Sequence, residues 1–276
     1  MSDGLEVDAA KVAKAATAAT AYQFSVLTLF PEMIRQAASH SIVARGVAAG
    51  RLDIQVTDIR DFTTDRHRTA DDVPYGGGPG MVMKPEPLAA AIADARGRQP
   101  KACTVLMSAS GRPFDQATAR RYADLAGGLI LICGHYEGVD ERIALHFIDE
   151  EISIGDYVLS GGELAALVVL DAVSRLVPGV VGNQASLADE SHESGLLEYP
   201  QFTRPQIFMG HPVPDVLLSG NHAEVARYRR DAALAKTRRL RPDLAARVVE
   251  VVVERRKGVA TERQAHLGRP RSEAPE

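Results

Sequence analysis

An α/β fold, a mainly parallel sheet with a small all-α domain behind it, is what this chain predicts, on three observations. Short apolar runs alternate with helix-length stretches from residue 22 to residue 181. Polar, glycine-bearing loops follow three of those runs directly, where ligands bind at the carboxyl ends of strands in open sheets. Beyond Pro205 there are no clear strands, only helix signals with a basic excess.

Taken in order, strands are expected at Phe24 to Leu29, Asp53 to Thr57, Ala102 to Ser108, Leu129 to Cys133 and Glu151 to Ile154. Helices are expected from Pro31, near Ser41 to Ala49, at Glu86 to Arg96, at Asp115 to Leu125, around Asp140 to Phe147, and after Gly162 until Pro178 and Gly179 stop the last one. Asn221 with Glu224 makes a capping box for a helix to about Leu240, and Pro242 opens another through Arg256. The domains expected are an extension at 1–21, the α/β domain at 22–181, a mobile polar linker at 182–203, a basic helical domain at 204–263 and a tail at 264–276.

At 276 residues and 45% hydrophobic, the chain can bury one sizeable core and a smaller satellite. No apolar run is long enough to span a membrane and no basic-then-apolar leader opens the chain, so the expected compartment is the cytoplasm. Cys103 and Cys133 lie in apolar runs without metal-ligand spacing and read as reduced core thiols. The formal charge of −4 is divided: residues 204–263 carry 13 Lys or Arg against 7 Asp or Glu, which suggests a polyanionic partner.

Three loops, Ser108 to Arg112, Gly134 to Gly138 and Gly155 to Gly162, can line one pocket. Gly155, Gly161 and Gly162 allow close backbone approach to a ligand, beside the polar atoms of Asp156, Tyr157, Ser160 and Glu163. Arg60 to Met81 is too long for an ordinary connection, and its cluster of Asp65, Arg66, His67, Arg68, Asp71 and Asp72 suits phosphate and a base edge. There is no GxGxxG after the first strand, no GxxxxGK[ST], no HExxH, no paired CxxC and no GxSxG. Dehydrogenase, P-loop, zinc and acyl-enzyme readings therefore have no fingerprint.

DRHRTADDVPYGGGPGMVM from Asp65, ICGHYEGVDER from Ile132, SIGDYVLSGGEL from Ser153, SRLVPGVVGN from Ser174 and VLLSGNHAE from Val216 together resemble the bacterial tRNA (guanine-N1-)-methyltransferase family, TrmD. The likeness runs from about residue 22 to residue 260. It implies a SPOUT-class domain with a deep trefoil knot, a homodimer with its active site at the subunit interface, and S-adenosylmethionine as methyl donor to N1 of guanosine 37 of tRNA, where a guanosine precedes it.

On matching positions the resemblance implies a cofactor site of Met107, Ser108, Gly111, Gly134, Tyr136, Glu137, Ser153, Ile154, Gly155, Asp156, Tyr157, Val158, Leu159, Gly161 and Gly162. Arg175 matches the family's arginine, assigned to the guanine O6. The family's aspartate base falls on Glu190, a departure, with Asp189 beside it in reserve. Mg²⁺ is implied as a possible requirement, with Glu137 its participant. Arg66, His67, Arg68, Arg227 and Arg230 are the implied tRNA contacts. His135 and Ala165 depart from some relatives' arginine and proline. A related enzyme acting on another RNA, and a non-catalytic RNA-binding protein, are the competing readings.

Overall fold

The run Leu129–Cys133 is apolar at every position, and all five residues are buried, as a central strand with both faces covered must be. This strand, β6, takes β1 (Tyr22–Thr28) on one side and β5 (Cys103–Pro113) on the other. Adding β2 (Leu52–Asp58) and β7 (Glu150–Ser153) gives a five-stranded sheet in the order β2-β1-β6-β5-β7, parallel at every pairing. The computed structural model describes residues 21–182, 190–193 and 195–246. Expectations for the N-terminal extension, for much of the linker including Asp189, for the last helix past 246 and for the tail lie outside these residues.

Alternation along the strands sends side chains to two cores. Phe24, Val26, Val105, Met107, Leu129, Leu131 and Cys133 share one with α4 (Gln116–Ala123) and α6 (Glu163–Leu176). Leu27, Leu106, Ile130 and Ile132 share the other with α3 (Pro85–Arg98) and α5 (Glu141–His146). Two helices, α1 (Pro31–Ala38) and α2 (Ser41–Ala48), connect β1 to β2. Pro occupies the first turn of both α1 and α3, where a missing N–H costs nothing. Asp115 and Asp140 cap α4 and α5 through their carboxylates.

One expectation needs correction, the absence of strands beyond Pro205. Arg60 to Met81, too long for an ordinary connection, carries hydrogen bonds of its own. Asp65 accepts from the N–H groups of His67 and Thr69 at 2.9 and 3.0 Å, and β3 (Asp71–Asp72) pairs antiparallel with β4 (Val82–Met83). Beyond Pro205, Ile207–Phe208 and His211–Pro212 form a short hairpin, β8 and β9. Its two turn residues, Met209 and Gly210, have φ of 50° and 83°, the backbone a two-residue hairpin needs, but Met is not a residue that advertises it.

The chain divides into two compact units, between Gly182 and Asn183. In the second, α7 (His222–Leu240) is capped by Asn221, whose side chain accepts from the N–H groups of Ala223 and Glu224. Residues 197–199, within the expected linker, contact this helix. Leu197 N–H donates to Thr237 Oγ1 at 2.9 Å, Lys236 Nζ donates to the Glu198 carbonyl at 3.0 Å, and the Arg229 guanidinium lies 4.8 Å from the centre of the Tyr199 ring.

Candidate active site

Three strand ends build one cavity of about 470 Å³. The first wall is a register slip. Met107 and Arg112 both pair with Ile152, so the residues between them loop out and the chain returns to the same point on β7. Gly111 sits at the return, where a side chain would run into the backbone of Glu151 and Ile152. This is why β5 extends past Ser108, where the apolar run ends.

The second wall follows β6. Tyr136 takes φ of 60°, and Gly138 N–H closes a turn on the His135 carbonyl at 3.1 Å. The turn is laced to β4: Glu137 N–H donates to Met81 O at 3.0 Å, Met83 N–H to Gly138 O at 2.9 Å, and Asp140 N–H to Met83 O at 3.1 Å. The third wall follows β7. Ser153 Oγ accepts from Gly155 N–H at 3.2 Å and Tyr157 N–H donates to Gly155 O at 3.0 Å, a tight bend for which Gly155 supplies φ of 153°. The loop then crosses the second wall, where Gly162 N–H donates to Gly134 O at 2.7 Å, and enters α6.

Of the expected cofactor residues, Met107, Ser108, Gly134, Tyr136, Glu137, Ser153, Ile154, Gly155, Tyr157, Val158, Leu159, Gly161 and Gly162 line the cavity. Gly111 and Asp156 do not. Leu106, Ile152, Glu141, Ala144 and Glu151 also line it and were not singled out. Glu141 and Ala144 come from α5; the motif ICGHYEGVDER runs into its first residues, but no cofactor role was expected there.

Behind the crossing, Glu163 is buried, with its Oε1 accepting from Thr28 Oγ1 at 2.7 Å and its Oε2 3.8 Å from His135 Nδ1. His135 also packs against Phe30, with ring centres 4.9 Å apart and the planes tilted by 50°. At the far end of the cavity's edge strand, Glu150 takes both nitrogens of the Arg121 fork at 2.6 and 2.7 Å, Arg112 at 3.2 Å and the Tyr122 hydroxyl at 3.1 Å. The Arg121 hydrogen bonds hold its carboxyl below the usual range. Cys103, 3.8 Å away, is pushed up to about 11 by burial first and the carboxylate second. Cys133 is raised by complete burial, so both thiols stay protonated at neutral pH.

Arg175 is half-buried near the end of α6 and does not line the cavity. At about 1.5 Å per residue it stands about 15 Å along the helix from Ala165, which does. Glu190 lies in the second unit, its carbonyl accepting from Glu193 N–H at 3.3 Å. Arg68 pairs with Asp61 and lies 3.6 Å from Asp58, while Arg66, His67, Arg227 and Arg230 are exposed.

The donor set suits an adenosyl cation. Apolar walls of Leu106, Ile152 and Leu159 and the rings of Tyr136 and Tyr157 match a flat base, and the carboxylates of Glu137, Glu141 and Glu151 match a positive centre. A metal cage is not offered: among the described residues no three His, Cys, Asp or Glu side chains are placed to hold one ion, and Glu137 alone does not make a Mg²⁺ site.

Comparison with known proteins gives the family. The family model described as tRNA (Guanine-1)-methyltransferase TrmD matches residues 22–247. A protein of Methylococcus capsulatus named tRNA (guanine-N(1)-)-methyltransferase is 58% identical over 225 residues, covering 81% of this chain and 89% of its own. Proteins of the same name from Geobacter metallireducens and Myxococcus xanthus are 54% and 55% identical, covering 82% and 83% of this chain and 92% of theirs. With a cavity walled by three strand-end loops and a match over most of its length, the chain belongs to the TrmD family of tRNA (guanine-1)-methyltransferases.

Proposed function

We propose that the protein transfers a methyl group from S-adenosylmethionine to N1 of guanosine 37 in tRNA, next to the anticodon, where a guanosine precedes it. The observation that carries the reading is the single cavity made by the three strand-end loops in a chain of this family. Bound there, S-adenosylmethionine would supply an activated methyl group. Its adenine would lie against Leu106, Ile152 and Leu159, and its positive end near Glu137, Glu141 or Glu151.

The chain's own residues then have two tasks. N1 of neutral guanine carries a proton and has no lone pair for attack, so a carboxylate must take that proton as the N1–carbon bond forms and the sulfur–carbon bond breaks. Glu190 is assigned this role, with Asp189 in reserve. Charge develops on O6, and the Arg175 guanidinium is assigned to it. Because Arg175 is carried about 15 Å from the pocket end of its own helix, completing the site calls for a second copy. The reading is therefore of a homodimer with its active site at the interface. The Gly162–Gly134 hydrogen bond brings the third loop onto the second, which fits a SPOUT-type knot, and the setting assigned is the cytoplasm. No step is assigned to Mg²⁺.

The test is to incubate the full chain with labelled S-adenosylmethionine and tRNA transcripts bearing guanosine or adenosine at position 37, and to map the methylated base. Label confined to N1 of guanosine 37 is expected, and Glu190→Gln should lose turnover by about two orders of magnitude or more with cofactor affinity kept. Label in the adenosine-37 transcript would sink the assignment. Near-normal turnover of Glu190→Gln would move the base to Asp189.

A further inference from the structure

Between β3 and β4 the chain runs out as a glycine arm. Its base is fastened: Asp71 pairs with Met83, Asp72 with Val82, and Lys84 N–H donates to Ala70 O at 2.8 Å. Past the base it stands in water. Val73 is 71% exposed and Tyr75 100% exposed. Gly76, Gly77, Gly78 and Gly80 all have φ between 75° and 131°, and a Cβ at the first three would touch nothing within 4 Å. Those glycines answer to backbone conformation rather than to space.

A ring that packs on nothing adds nothing to folding, yet this one stands immediately before a left-handed glycine backbone that leads back to the cavity wall. The arm's return strand is hydrogen bonded to the cavity wall through Met81 and Met83. Gly80 lies against the Glu137 side chain so closely that a Cβ has no room. The chain leading into the arm is polar and charged, with Arg66, His67 and Asp72 exposed, and Val73 is the apolar neighbour of Tyr75 in sequence. That is too little apolar area for a protein interface, whose buried centre is depleted of charge. It suits a flat partner with a polar rim, and unpaired bases of RNA loops are bound by stacking on such rings.

We propose that Tyr75 is a stacking platform for an unpaired nucleobase of the RNA substrate, and that the Gly80–Glu137 contact ties this platform to the cofactor cavity. The inference rests on the methyltransferase reading and deepens it.

The chain contains no tryptophan, so Tyr75→Trp gives a single reporter. Saturating tRNA transcript should quench the indole emission of this variant, and a fully paired RNA duplex should not. Tyr75→Ala should weaken tRNA binding about tenfold and Tyr75→Phe should restore it, with the melting temperature of both unchanged. Unquenched emission from the Tyr75→Trp variant in its tRNA complex, or a wild-type tRNA affinity in Tyr75→Ala, would overturn the platform while leaving the methyltransferase reading intact. A change in sedimenting mass caused by Tyr75→Ala would assign the ring to a contact between copies instead. If the wild-type chain binds no tRNA, the methyltransferase reading falls and takes the platform with it.

Discussion

Gly162 donates its backbone N–H to the carbonyl of Gly134 at 2.7 Å, and this bond is where the third wall of the cavity crosses the second. A Cβ on Gly162 would stand 2.8 Å from Cys133 Cα and 3.0 Å from both Gly134 N and Met107 Cβ, atoms that cannot move without shifting β5 and β6. Gly134 differs, since a Cβ there finds ordinary contacts at 3.7 and 3.8 Å. Overpacking typically costs about 1–3 kcal/mol. Gly162→Ala should therefore melt about 3–10 °C lower, while Gly134→Ala stays within about 2 °C of wild type. Equal melting temperatures for the two variants would contradict the crossing.

The Glu150 cluster sets how the α/β unit responds to acid. Its carboxyl is held low, chiefly by the Arg121 hydrogen bonds, so the sign is that of a depressed carboxylate. Stability from the pair is complete above the unfolded value near 4.5 and is lost as pH falls through the lower folded value. Breaking a charge-assisted pair of this kind costs about 2 kcal/mol. Denaturant melts should show Glu150→Gln less stable than wild type at pH 7, the gap closing below about pH 4. Because Glu150 also holds Arg112 at the return of the bulge, the same variant should bind S-adenosylmethionine more weakly. A pH-independent gap would move the acid response elsewhere.

Which parts of this architecture were legible depends on whether the signal was local. β6 was readable because a strand buried on both faces is a continuous apolar run, and all five of its residues match. The second and third walls were readable because Gly134, Gly155 and Gly162 mark bends wherever they fall. The return of Arg112 to Ile152 was not, since nothing near Gly111 says that a strand resumes on the partner it left. Glu150 was equally silent, its four partners coming from β5, α4 and the end of the bulge. Arg175 was placed on the right helix by its motif, but periodicity gives no sense of which end of a 14-residue helix faces a ligand. The Met209–Gly210 hairpin was missed for want of the Asn-Gly or Asp-Gly pair that usually announces one.

The basic face of α7 gives a test that separates holding the RNA from reading it. Arg227 and Arg230 are exposed and three residues apart, so they project from neighbouring positions on one side of the helix. Contacts from such side chains to phosphate neutralise charge without discriminating bases, and each one lost removes about one released counterion. Replacing both with alanine should weaken tRNA binding at low salt and make log Kd less steep against log salt by about one to two, while preference for guanosine over adenosine at position 37 is unchanged. An altered preference would place these arginines at the target base. A slope equal to wild type would remove them from the phosphate contacts altogether.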